Sequence, residues 1–130
     1  MNHFKSQTKD ANGDDGGSKR KEQAETVRAI VDKLVAAGEL VVVLGDLNEG
    51  PKEGFEFAKN LRKLHEDDSP LVHCWSLPGF DHNGAPGSYR RGDLRNRLDY
   101  IFLSKNLVEH FQSGGVFRKG VWRDGGAAGP

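Results

Sequence analysis

Between residues 18 and 38 the apolar side chains return every three or four positions, and Ala24, Val27, Ile30, Val31 and Leu34 share one face among charged neighbours. That period predicts an amphipathic helix capped by Ser18 and stopped at Gly38. The pattern then changes. Leu40 to Leu44 is apolar without a break and rich in valine. It is too short for a helix and lacks polar alternation, which predicts a central strand covered on both faces. Pro51 opens a second, shorter helix whose stripe is Phe57, Ala58, Leu61 and Leu64. After an acidic turn at Glu66 to Pro70, the order predicted is a strand from Leu71 to Leu77, a long loop from Pro78 to Gly87, and a short strand from Ser88 to Arg91. Arg97 to Ser104 reads as the main strand of the second half, and Val116 to Trp122 as a further candidate. Helices alternating with strands place the chain in the α/β class.

Composition changes this picture little. At 130 residues, 35% hydrophobic and 29% charged, the chain suits one ordinary domain. No apolar run approaches the ~20 residues of a membrane span, and no targeting signal is visible, so the compartment is left open. The single cysteine, Cys74, rules out an internal disulfide and reads as small buried filler beside Trp75. Asp10 to Ser18 is a turn-rich loop with three Asp and an Asn. It lacks the closing Glu of a calcium loop, so it reads as a flexible connection. Formal charge is zero, but Arg90 to Arg123 holds eight Lys/Arg against three acids, while Asp46 to Asp68 leans acidic. Such a distribution suits either a mixed surface or a site that handles phosphate around a cation.

Candidate chemistry sits where the apolar runs end. Val41 to Leu44 stops in Gly45-Asp46-Leu47-Asn48-Glu49, which delivers an acid and an amide to the edge of a buried sheet. Asn2-His3-Phe4-Lys5-Ser6 lies upstream, and Arg97-Leu98-Asp99-Tyr100-Ile101-Phe102-Leu103-Ser104 downstream. In that order, with a helix and strands between them, these motifs resemble those of the endonuclease/exonuclease/phosphatase superfamily, the DNase I-like fold. The resemblance covers roughly Asn2 to Trp122. It implies part of a four-layer αββα sandwich: about one mixed sheet with covering helices, over residues 1–123, followed by a flexible tail at 124–130. Such proteins also carry an upstream metal-binding Glu and a Ser-Asp-His motif near the C-terminus, and neither is found here. The chain therefore reads as the C-terminal part of the fold, with low activity alone. Its apolar sheet face would await the missing half of the sandwich or another copy of the chain.

The resemblance also implies roles. Asp46 matches the acid that positions the attacking water and serves as a metal ligand, and Asn48 the amide that bonds the phosphoryl oxygens. Residues two apart in an extended segment point the same way, so both can face one phosphate while Leu47 turns inward. His3 matches the histidine that contacts the scissile phosphate, a role suited to an imidazole. Asn2 would orient it. Asp99 matches the acid that holds a general-base histidine. Tyr89, Arg90 and Arg97 resemble residues lining a substrate cleft. The plainer alternatives are a strand-end turn for Asp46 and Asn48, a frayed terminus for His3 and a polar strand edge for Tyr89 and Arg90. Glu49 reads as a surface acid. The implied cofactor is Mg2+ or Mn2+. The implied substrate is a phosphodiester, with nucleic acid cut without sequence preference favoured by the Arg-rich stretch from Ser88 to Arg97. A phosphatase or sphingomyelinase type, or a non-catalytic product that only binds phosphate or a partner, is the alternative.

Overall fold

A computed structural model of the chain describes residues 1–50, 58–85, 87–88 and 97–119. Four strands form one mixed sheet in the order β1 (Asn2–His3), β2 (Val42–Asp46), β5 (Asp99–Ser104) and β3 (Leu71–His73). β1 runs parallel to β2, whereas β5 is antiparallel to both β2 and β3. Helix α1 (Gly17–Ala36) covers one face, and a short α2 (Arg62–His65) follows a 3-10 turn at Lys59–Leu61. A one-turn helix α3 (Lys105–Val108) follows β5, and a separate two-stranded ladder pairs β4 (Phe80–Asp81) with β6 (Gly114–Gly115). Mixed helix and strand content around one sheet agrees with the partial DNase I-like architecture expected from the sequence.

The buried stripe of α1 runs Arg20, Ala24, Val27, Val31, Val35, so Ile30 and Leu34, expected on that stripe, are exposed. The reason is that Arg20, a charged residue, occupies a core-facing position and rotates the stripe. Nor does Ser18 cap the helix. Asp14 and Asp15 accept from the amides of Gly16 and Gly17 at 2.8 and 3.0 Å, satisfying the amides before Ser18, which lies inside the helix. Gly38, with φ of 82°, ends it as expected.

Strand β2 begins at Val42 and is covered on one face only. Val43, Tyr100 and Phe102 join Phe4, Leu47, Leu61, Leu64 and Leu71 in the core with α1. Their neighbours Val42, Leu44 and Ile101 remain 48%, 38% and 45% exposed. Strand alternation explains this, because Val42, Leu44 and Ile101 project opposite to the core-facing Val43, Tyr100 and Phe102.

The predicted strand from Leu71 to Leu77 stops at His73, because Ser76 donates its hydroxyl to the His73 carbonyl at 2.8 Å and closes a 3-10 turn at Cys74–Ser76. Cys74 is buried as expected, and burial pushes its thiol up. β4 lies inside the segment read as a loop. From Val116 to Lys119 no strand forms; Arg118 instead donates to the carbonyls of His82, Asn83 and Ala85 at 2.8 to 3.0 Å. Pro51, Phe57, the expected strand beyond Ser88, and the expected tail fall outside the described residues.

Candidate active site

Three of the expected site residues meet in one row at a single end of the sheet. Register pairs His3 with Asp46 across β1 and β2, and Asp46 with Asp99 across β2 and β5. Directly paired residues in a sheet project to the same face, so the row continues the exposed apolar surface of Leu44 and Ile101. His3 Nε2 lies 3.7 Å from Asp46 Oδ2, with both side chains open to solvent. Gly45 makes the close approach of β1 possible, since a Cβ there would lie 1.8 Å from the Asn2 carbonyl oxygen. Asn2 donates its side-chain amide to the Leu44 carbonyl at 3.3 Å, and the Phe4 amide bonds the Asp46 carbonyl at 2.9 Å, which ties the His3 segment to β2.

Asn48 is placed differently from the extended arrangement expected. The chain turns after Asp46: the Asn48 amide donates to Asp46 Oδ1 at 2.9 Å, and Asn48 itself sits at φ of 53°. Its side-chain Nδ2 donates to the Phe4 carbonyl at 2.9 Å, so one of its two amide protons is already used in holding the first strand to the loop. Leu47 turns inward as expected and is fully buried. Asp46 keeps Oδ2 toward His3 and solvent, because only Oδ1 takes the backbone amide.

Arg97 packs against aromatic side chains. Its guanidinium carbon stacks 4.8 Å above the Trp75 ring centroid, and Nη1 lies 3.4 Å from His73 Nδ1. Burial lowers its pKa. The cation thus builds an aromatic cluster with Trp75 and His73. Tyr89 and Arg90 lie outside the described residues. Behind the row, a cavity of about 670 Å³ is lined by His3, Asp46 and Asp99 on one side and by Leu44, Trp75 and Phe80 among its apolar walls.

Ser88 and Glu49 hold the segments beside the row through bonds that the sequence does not show. Ser88 Oγ accepts from the amides of Leu98 and Asp99 at 3.2 and 3.1 Å, fixing the start of β5. Glu49, expected on the surface, is 5% exposed, and its backbone carbonyl accepts the Tyr100 hydroxyl at 2.7 Å. Burial raises the Tyr100 pKa, which keeps that hydroxyl a donor. The only sequence signal for Glu49 was its position one residue after the amide of the motif.

The row offers two carboxylates to a divalent cation. Among the described residues, no three His, Cys, Asp or Glu side chains come together as a ligand group. Mg2+ often keeps several waters and takes only one or two carboxylates, which Asp46 and Asp99 could supply.

Comparison with known families matches residues 10–120 to the family described as Endonuclease/Exonuclease/phosphatase family. The match includes Asp46, Asn48 and Asp99 and begins after His3. No curated protein matches the chain, and no solved structure does.

Proposed function

The chain belongs to the endonuclease/exonuclease/phosphatase family, and we propose that it is a metal-dependent phosphodiester hydrolase acting on nucleic acid without sequence preference, with low activity on its own. Membership supports the coarser statement, hydrolysis of phosphate esters or phosphodiesters, and members of the family commonly use divalent metal ions. The finer reading is carried by one observation: His3, Asp46 and Asp99 stand in consecutive register at one sheet edge.

In this reading a water attacks phosphorus while Asp46 Oδ2 accepts its hydrogen bond and takes its proton. A new P–O bond forms as the bond to the leaving oxygen breaks, and that oxygen takes a proton from His3. Asp99 stands opposite Asp46 in the ladder. Asn48 holds Asp46 through its backbone amide, and its remaining side-chain proton is available to a phosphoryl oxygen. Mg2+ or Mn2+ would supply charge neutralisation of the phosphoryl oxygens when bound. The short ligand set among the described residues is the reason for expecting slow turnover.

A second reading follows from the same shortage together with the Asn48 bond to Phe4: a chain that binds phosphate and does not cleave it. The two readings share a partner requirement, because the apolar face of β2 and β5 suits a second layer, either the other half of the family's sandwich or another copy of this chain. A plasmid-nicking time course in Mg2+ tests the proposal. Slow nicking that disappears in Asp46→Ala and Asp99→Ala supports it. Nicking that persists unchanged in both variants sinks it, and absence of nicking with retained phosphate binding selects the second reading.

A further inference from the structure

Beneath the candidate site, Arg20 and Glu49 form an ion pair that is almost completely enclosed. Arg20 is 1% exposed, Glu49 is 5% exposed, and Arg20 Nη2 lies 3.3 Å from Glu49 Oε1. Burying two opposite charges carries a desolvation cost that their attraction often fails to repay, so such a pair is a weak source of stability. Its contacts indicate a different role.

The bonds of the pair reach the β1 exit, the loop entering α1 and the turn before α2. Arg20 Nη1 donates to the carbonyls of Lys5 at 3.2 Å and Asp15 at 2.6 Å, which holds the chain just after His3 and the loop entering α1. Glu49 Oε2 accepts the Asn60 amide at 2.7 Å, and Oε1 accepts Asn60 Nδ2 at 2.5 Å, which holds the turn before α2. Residue 49 is itself one step from Asn48, whose carbonyl takes Gln7 Nε2 at 2.6 Å. The pair thus fastens the β1 exit and the 46–50 loop to the same helix. It does so beside Asn48, which sits at φ of 53°.

We propose that Arg20 and Glu49 are positioning residues, a buried ionic clamp that sets the 46–50 loop, and with it the Asp46 carboxylate and the Asn48 amide, against the His3 strand. The proposal rests on the reading of Asp46 and His3 as the site. It concerns loop placement, which is measurable without substrate.

Native-state amide exchange followed by NMR tests it. Leu47, bonded to the Leu98 carbonyl at 2.8 Å, and Asn48, bonded to Asp46 Oδ1, report on the loop. Ser104, whose amide bonds the Val41 carbonyl at 2.9 Å in the buried β2–β5 ladder, reports on the core. In Glu49→Gln, which preserves shape and removes charge, Leu47 and Asn48 should exchange about tenfold faster or more while Ser104 is unchanged. Arg20→Met should give the same local effect, and the double variant no more than either single. If Glu49→Gln does not fold, Asn60→Ala removes the Asn60 Nδ2 bond to Glu49 Oε1 and should loosen the same two amides. Loop exchange that stays unchanged overturns the clamp. Exchange of Leu47, Asn48 and Ser104 accelerated by one common factor overturns it too, since that is the signature of a purely structural pair. Loop amides that loosen as expected, in a protein whose nicking is indifferent to Asp46→Ala, would leave the clamp standing and remove only the hydrolytic reading.

Discussion

His73 is a buried histidine that the fold keeps neutral. Its ring packs 4.9 Å from Tyr100 and 5.1 Å from Phe102, and its pKa is lowered to about 3 by burial first and then by the charges of Arg97, His65 and His82. The unfolded chain takes up that proton near pH 6.5, whereas the folded chain resists it down to about 3. The stability His73 contributes is therefore complete above about pH 6.5 and is lost as the pH falls through that window, by roughly 1.4 kcal/mol for each unit crossed. Urea midpoints measured from pH 7 to pH 4 should fall steeply in the native protein. In His73→Phe the slope should decrease by about one proton, and an unchanged slope would contradict the assignment. Residues of this kind were the least legible in the sequence. His73, Arg20 and Glu49 are polar side chains in polar or mixed surroundings along the chain, and only the folded packing makes them buried. Asp46 and Asp99 were legible because each stands where an apolar run meets a turn or a polar neighbour. For Arg97 the charge is visible in the sequence and the Trp75 ring beneath it is not.

At the scale of elements, β1 consists of two residues and depends on its fit to β2. Gly45 decides that fit, because any Cβ there would meet the Asn2 backbone at distances no real side chain tolerates. Gly45→Ala should detach β1, abolish the His3 to Asp46 contact and cost about 2 kcal/mol or more. Thermal unfolding checks the stability loss, and NMR contacts between residues 2–3 and 45–46 check the detachment. A variant with native stability and those contacts retained would contradict the placement. Element type was readable where the period was long: α1 and the strands ending at Asp46 and Ser104 were found within a residue or two. Boundaries shifted where side chains bond locally, as Asp14 and Asp15 do before α1 and Ser76 does after β3. The β4–β6 ladder could not be read, since two glycines pairing with Phe80 and Asp81 carry no strand period.

Among the described residues, α1 covers one face of the sheet, and Val42, Leu44 and Ile101 on the other stay partly exposed. A sheet with a helix on one side and Val42, Leu44 and Ile101 bare on the other presents a surface that water penalises, which favours association. Sedimentation mass should rise with protein concentration, and Leu44→Lys combined with Ile101→Lys should return a monomer. A native chain that remains monomeric over the whole concentration range would show that the face needs no cover. Sequence reading anticipated an open face from the partial resemblance to a two-sheet fold, yet it also described β2 as covered on both sides. The alternation of exposed and buried residues along β2 resolves that conflict in favour of the open face.

The central claim is that His3, Asp46 and Asp99 form one phosphate-handling edge. Amide chemical-shift mapping during titration with Mg2+ and a short single-stranded oligonucleotide measures it most directly. The largest shifts should fall together on His3, Asp46 and Asp99 and vanish in Asp46→Ala. Shifts that centre instead on Arg118 and the β4–β6 ladder, with that row silent, would contradict it.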